Sequence, residues 1–324
     1  MDWTSHSPVF LCELIALGFG VGFLTGMFGV GGGFIATPIL ISLLGVDPSI
    51  AVGSSLGFTL GASVIGLRKH LRAGNLASRT AMLIGGGATL GTVLGYLLHN
   101  SVARATGQHF DYFMSVSFIV LLGVIAILIA LTTDRVTQPK SLMAKLRLPP
   151  YIAIRKIGGT PISIIGLIGA GVPVGLLGGL FGIGGGVILI PILTLVVGLT
   201  PHVAVGTSLG AILLTSIVGC ALYAFGSHTV DLGIIAALIL GSWLGTILGA
   251  GICSRLHARH LHRLFAIVVG STALLLLLEL QFRPARQSHH SREQRLPYVV
   301  PSSQSRVNSE RVVPCTVAEV GYGL

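Results

Sequence analysis

Charge is scarce in this chain. Only 9% of its 324 residues are Asp, Glu, Lys or Arg, against about a quarter in an average soluble domain, which excludes an ordinary water-facing surface. Aromatic residues are also few, at 6%. The four cysteines, Cys12, Cys220, Cys253 and Cys315, form neither a C-x-x-C pair nor a dense pattern, so they support neither a disulfide framework nor a metal site. There is no H-E-x-x-H and no pair of carboxylates inside an apolar run; Glu13 and Glu279 stand alone near run ends. An enzyme is therefore not expected, and neither is a metal or cofactor. The formal net charge of +10 comes without aromatic interleaving or a nucleic-acid motif, and nucleic-acid binding is not expected.

What is abundant is apolar sequence. Hydrophobic residues make up 52% and the mean hydropathy is +0.89. No Asp, Glu, Lys or Arg occurs from Ile157 to Val230, a stretch long enough for about three spans of roughly 20 residues each. Apolar runs fall at about 9–28, 29–45, 49–67, 80–98, 112–131, 161–180, 182–199, 203–222, 232–253 and 264–280, five and five. Their lengths suit helices rather than the roughly ten-residue alternating strands of a membrane barrel. The expected fold is an all-α polytopic membrane protein with about eight to ten membrane segments. The opening MDWTSHS lacks a basic n-region, so the first run reads as a retained span.

The chain is also duplicated. Phe28 to Gly57 and Phe181 to Gly210 align without a gap at an offset of 153, with 17 of 30 positions identical. The expected organisation is a first transmembrane repeat (1–131), a basic central loop (132–160), a second repeat (161–281) and a disordered polar tail (282–324). The second and seventh runs are short, open on three glycines and carry Pro38 or Pro191. They read as half-helices or broken spans, the pattern that marks a transporter's binding site when it recurs in both halves.

Loop charge points to an inverted pair. Arg68, Lys69, Arg72 and Arg79 lie between the third and fourth runs, whereas the matching loop, Tyr223 to Asp231, has no Lys or Arg. Equivalent loops of opposite charge character suggest opposite sides of the membrane. On that reading the central loop, with Arg135, Lys140, Lys145, Arg147, Arg155 and Lys156, is cytoplasmic. The tail, with six Arg against three Glu from Arg283 onward, fits ten crossings poorly.

Gly31, Gly32 and Gly33, with their copies Gly184, Gly185 and Gly186, superficially match a dinucleotide fingerprint, but the flanks are membrane-length apolar runs rather than a βαβ unit. Consecutive glycines let the backbone leave the helix, and the restarting helix presents unpaired N–H groups and a positive dipole end, which binds anions without a buried lysine. Close helix crossing is the competing role of such glycines. Ser54 and Ser55, matched by Thr207 and Ser208, add hydroxyls that either cap helices or donate to an oxyanion. His202, in the turn before the second block, is a further candidate for attracting an anion. His70, His99 and His228 sit at loop edges and read as solvated or interfacial. A third shared stretch, Leu90 to Gly95 and Leu244 to Gly249, spaces glycines four apart, as in close helix packing.

The duplicated glycine run, the proline ten residues past the phenylalanine and the A-V-G-[ST]-S-L block resemble the TauE/SafE family of sulfite exporters, the TSUP anion permeases, over roughly residues 11–280. The resemblance implies a multi-pass protein of the bacterial inner membrane that carries small sulfur-containing anions such as sulfite, sulfonates or sulfoacetate, often coupled to protons. Its partners would be a small anion and membrane lipid. The second-half pattern P-H-x-A-V-G-T-S is present from Pro201 to Ser208; the first half departs from it with Ser49 and Ser54. A passive anion channel or a non-transporting scaffold is the competing reading.

Overall fold

The computed structural model describes residues 8–132, 149–153 and 161–293. They form ten helices, five in each half: α1 (Pro8–Phe28), α2 (Gly33–Ser42), α3 (Pro48–Arg72), α4 (Ser78–Thr106), α5 (Phe110–Thr132), α6 (Ile164–Phe181), α7 (Gly186–Pro191), α8 (Pro201–Ala221), α9 (Leu232–Cys253) and α10 (Ala258–Glu293). Helices α7 and α8 run on as π-helical turns to Val197 and Gly226. The all-helical expectation needs one amendment, a two-stranded antiparallel hairpin, β1 (Tyr151–Ala153) with β2 (Pro161–Ser163). The rest of the basic central loop lies outside the described residues. Helix α10 runs through the opening stretch of the tail to Glu293; the tail's remainder lies outside the described residues too. The compact body reaches Gln281, and the described residues 282–293 fall in a separate unit.

Seven helices are long and apolar enough to cross a membrane, and three apolar stretches are shorter: α2, Gly186–Val197 and Arg263–Leu278. Outer faces carry exposed large apolar residues such as Leu90, Leu94 and Leu97 on α4, Leu240, Trp243 and Leu244 on α9, and Ile267 and Leu275 on α10. In water such a belt would drive aggregation; in a bilayer it meets lipid tails.

Helix starts follow ordinary capping chemistry. Asp47 Oδ1 accepts from the Ser49 and Ile50 N–H groups at α3, Asp231 Oδ1 from Gly233 and Ile234 at α9, and Ser163 Oγ from Gly166 at α6. Pro48 and Pro201 open α3 and α8, where a missing N–H has no consequence.

The halves interlock. Helix α1 packs along α9 of the other half, and α6 along α4. The contacts are made through glycine. A Cβ at Gly18, Gly22 or Gly26 would meet the backbone of Leu238, Ser242 or Thr246, and one at Gly241, Gly245 or Gly249 would lie 2.0–2.2 Å from a carbonyl oxygen of α1. Gly87, Gly91 and Gly95 of α4 make the same approach to Ile168, Val172 and Leu176 of α6, answered by Gly171, Gly175 and Gly179. The four-residue spacing read as close packing is confirmed at Gly91, Gly95, Gly245 and Gly249. Residue numbers rise together in both pairs, so each pair runs parallel. Helix α3 also runs parallel to α9 (Gly57 against Ile235, Gly61 against Ile239), while α3 and α8 cross antiparallel (Gly66 against Leu209, Leu56 against Gly219).

Gly91→Val would drive side-chain carbons into the Val172 carbonyl, 2.0 Å from the Cβ position, and should lower stability by about 1–3 kcal/mol or more. Gly20→Ala, with nothing within 4 Å, should leave it unchanged. Thermal denaturation of both variants in detergent checks the contrast.

Candidate functional site

Both half-helices begin inside the protein. Helix α1 ends at Phe28, and Gly29, Gly31 and Gly32 all take positive φ (71°, 80° and 81°) before α2 starts at Gly33. In the second half Gly182, Gly184 and Gly185 repeat this (73°, 68° and 82°) before Gly186. A β-carbon would strain all six positions. Every residue from Phe28 to Phe34 and from Phe181 to Val187 is buried.

The two loops touch. A Cβ at Gly33 would lie 2.3 Å from the Gly182 carbonyl oxygen, and one at Gly186 would lie 2.2 Å from that of Val30. Gly31 and Gly184 are both flanked by Thr59 of α3 and Ile212 of α8. The predicted glycines Gly31, Gly32, Gly33, Gly184, Gly185 and Gly186 thus converge on one place, where the start of each half-helix abuts the other half's loop.

The predicted hydroxyls divide. Ser208 Oγ lies 2.6 Å from the Gly29 carbonyl and 2.8 Å from that of Val205, and donates at the first loop's edge. Ser55, its counterpart, is fully buried and has no hydrogen-bond partner. Ser54 and Thr207 are engaged elsewhere: Ser54 Oγ accepts from Asp231 N–H at 2.9 Å and Thr207 Oγ1 from Ala77 N–H at 3.1 Å. Each ties its helix to the segment entering α9 or α4. His202 also lies apart, half-buried at the start of α8 with Nε2 donating to the Leu256 carbonyl at 3.1 Å. Gly53 to Gly57 and Gly206 to Gly210 spell G-x-S-x-G, but both lie within helices, without the strand-to-helix turn that exposes a nucleophile.

Breaking α1 and α6 inside the protein orphans carbonyls at their C-termini, and apolar surroundings make each one expensive unless it is partnered. Rings do the work. His70 Nε2 donates to Gly26 O at 3.1 Å, and Tyr223 hydroxyl donates to Gly179 O at 2.9 Å. Residues 70 and 223, like 26 and 179, are 153 apart. His99 Nδ1 donates to Leu180 O at 2.9 Å while Nε2 meets Ser49 Oγ at 3.3 Å. The expectation that His70 and His99 are solvated is corrected: they are 3% and 0% exposed, because only a buried donor can reach these carbonyls. Reading alone missed Tyr223 and Thr59; the 153-residue match of His70 with Tyr223 was the available signal for the former. Phenylalanines close both ends, Phe28 against Phe265 at 5.2 Å and Phe181 against Phe118 at 4.9 Å between ring centroids.

Tyr223→Phe leaves the buried Gly179 carbonyl without this donor and should cost about 1–3 kcal/mol. His70→Tyr, which places in the first half the group used in the second, should be tolerated better than His70→Phe. Melting temperatures of the purified variants test both.

A family model described as Sulfite exporter TauE/SafE matches residues 14–276. A probable membrane transporter protein of Methanocaldococcus jannaschii is 30% identical over 280 residues, spanning 82% of this chain and 94% of its own. Two probable membrane transporter proteins of Bacillus subtilis, YunE and YjnA, are 28% identical over 275 residues and 29% over 270, covering 93% and 99% of their own lengths and 79% and 82% of this one. No solved structure matches. With helices long enough to cross a membrane seven times and a duplicated broken-helix core, the chain is a multi-pass membrane transporter and belongs to the TauE/SafE sulfite exporter family.

Proposed function

We propose that this transporter is a permease for a small anion, a sulfur-containing oxyanion such as sulfite or a sulfonate, held where the two glycine loops cross. The observation that carries the reading is the pair of half-helices starting at Gly33 and at Gly186 inside a core to which the second half, from Pro161 to Val230, brings no fixed charge. The first N–H groups of a helix have no intrahelical partner, and its dipole favours negative charge there. Two such ends meeting in a low-dielectric interior attract an anion without the penalty of a buried lysine. The family's description, sulfite exporter, supplies the substrate class.

An inverted arrangement of the halves is part of the proposal. The contact registers put α1, α3 and α9 in one direction and α4, α6 and α8 in the other. Counterparts α1 and α6, α3 and α8, α4 and α9 then oppose each other, in agreement with the charge difference between the loops at 68–79 and 223–231. Such a relation supports alternating access, in which the closed packing around the loops opens to one side and then the other. Complete burial of both loops favours a gated carrier over a standing pore, and the proton gradient is the proposed driving force.

Uptake of sulfite, sulfoacetate and sulfate into proteoliposomes, with and without an imposed proton gradient, tests the proposal. Saturable, gradient-dependent uptake of one sulfur oxyanion is expected. Linear, gradient-independent flux would instead identify a passive channel, and no flux of any anion would overturn the reading. Gly32→Val and Gly185→Val, which place carbon within 2.6 Å of Val21 or Val174, should abolish uptake while the protein still inserts.

A further inference from the structure

Buried hydroxyls in this core divide into partnered and unpartnered ones. Thr25, Thr92, Thr194 and Ser208 each donate to a carbonyl of the preceding turn, the usual way a hydroxyl is satisfied inside a membrane helix. Among the described residues eight buried hydroxyls have no partner, and four of the eight are Ser55, Thr59 and Ser63 of α3 and Ser216 of α8. All four residues are 0% exposed. The three on α3 are spaced by four, so they share one helical face. Thr59, in the middle of that face, lies against the loop crossing: its Cγ2 methyl would be the nearest atom to a Cβ at Gly31 (2.7 Å) and at Gly184 (3.0 Å), and Ser216 Oγ would be 3.5 Å from the latter.

The antiparallel register of α3 and α8, with Leu56 against Gly219 and Gly66 against Leu209, sets Thr59 level with Ser216 and Ser63 level with Ile212. The 153-residue repeat relates Thr59 to Ile212 and Ser63 to Ser216. One side of the crossing therefore has two hydroxyls, and the other has one hydroxyl and an isoleucine. Unpartnered neutral donors kept in an apolar interior cost stability, and a ligand that accepts their hydrogen bonds removes that cost.

We propose that Ser55, Thr59, Ser63 and Ser216 form the donor wall of the transport site, with Thr59 at its centre. The proposal rests on the anion-carrier reading above and deepens it. The bound anion accepts hydrogen bonds from the hydroxyl row on one side, and Ile212 excludes water on the other. Thr59 acts by touching substrate, so its hydroxyl contributes to binding and not to the fold.

The test is sulfite uptake by proteoliposomes of the full chain, with melting temperatures measured in detergent. Thr59→Val keeps the shape and removes the hydroxyl. It should melt at or above the wild-type temperature while raising KM for sulfite about tenfold or more, the loss expected for a hydrogen bond to a charged group. Ser216→Ala should move KM in the same direction. Thr272→Val, which removes a hydroxyl that donates to Val268 O at 2.8 Å on α10, should leave KM unchanged. If wild type transports sulfite and Thr59→Val and Ser216→Ala match its KM, the donor wall is overturned while the carrier stands. A Thr59→Val protein that fails to insert or melts well below wild type would show a structural hydroxyl, which also overturns it. Absence of uptake of sulfite, sulfoacetate and sulfate by wild type would remove the carrier reading and the donor wall with it.

Discussion

Backbone contact through glycine is the constraint on which everything else depends. Lipid tails are as apolar as leucine, so no hydrophobic driving force holds one membrane helix to another, and close van der Waals approach must do it instead. Three glycines on each face of the α1–α9 and α4–α6 pairs bring backbones within contact of one another. Because each pair joins the first helix of one half to the fourth helix of the other, neither half packs its own first helix there. The duplicated sequence is thereby one interlocked body up to Gln281.

That interlocking fixes where the helix breaks fall. With α1 held along α9 and α6 along α4, the chain beyond Phe28 and Phe181 enters the middle of the body, where water is not available to satisfy broken backbone. Irregular backbone at membrane depth persists only when protein groups replace the missing partners. His70, Tyr223, His99 and Ser208 do this for carbonyls at the helix ends and the first loop's edge. Carbonyls of Gly26, Gly29, Gly179 and Leu180 are thus partnered, while each half-helix starts beside the other half's loop.

The repeat is a pair of near copies, and the departures from symmetry are chemically directed. Thr59 is matched by Ile212, and His70 by Tyr223. Ser49, which meets His99, is matched by His202, which instead donates to Leu256 O. A duplicated fold supplies two equivalent frames, and the halves differ at these positions while the glycine contacts that hold both are kept.

The class, the duplication, the apolar runs and the two breaks were legible in the sequence, because apolar run length, a gapless repeat and tripled glycines are local signals that survive any tertiary arrangement. It also located the six loop glycines that converge. It could not distinguish Ser54 from Ser55, or Thr207 from Ser208, since adjacent helix positions differ only by the direction in which they point; tertiary packing turned Ser54 toward Asp231 and Thr207 toward Ala77. Nor could it say that His70 and His99 are buried, because the orphaned carbonyls they serve exist only once α1 and α6 break inside the body. The hydroxyl row on α3 reads in sequence as ordinary serine and threonine among apolar neighbours. Only tertiary packing leaves its three hydroxyls buried without partners and sets Thr59 against both loops.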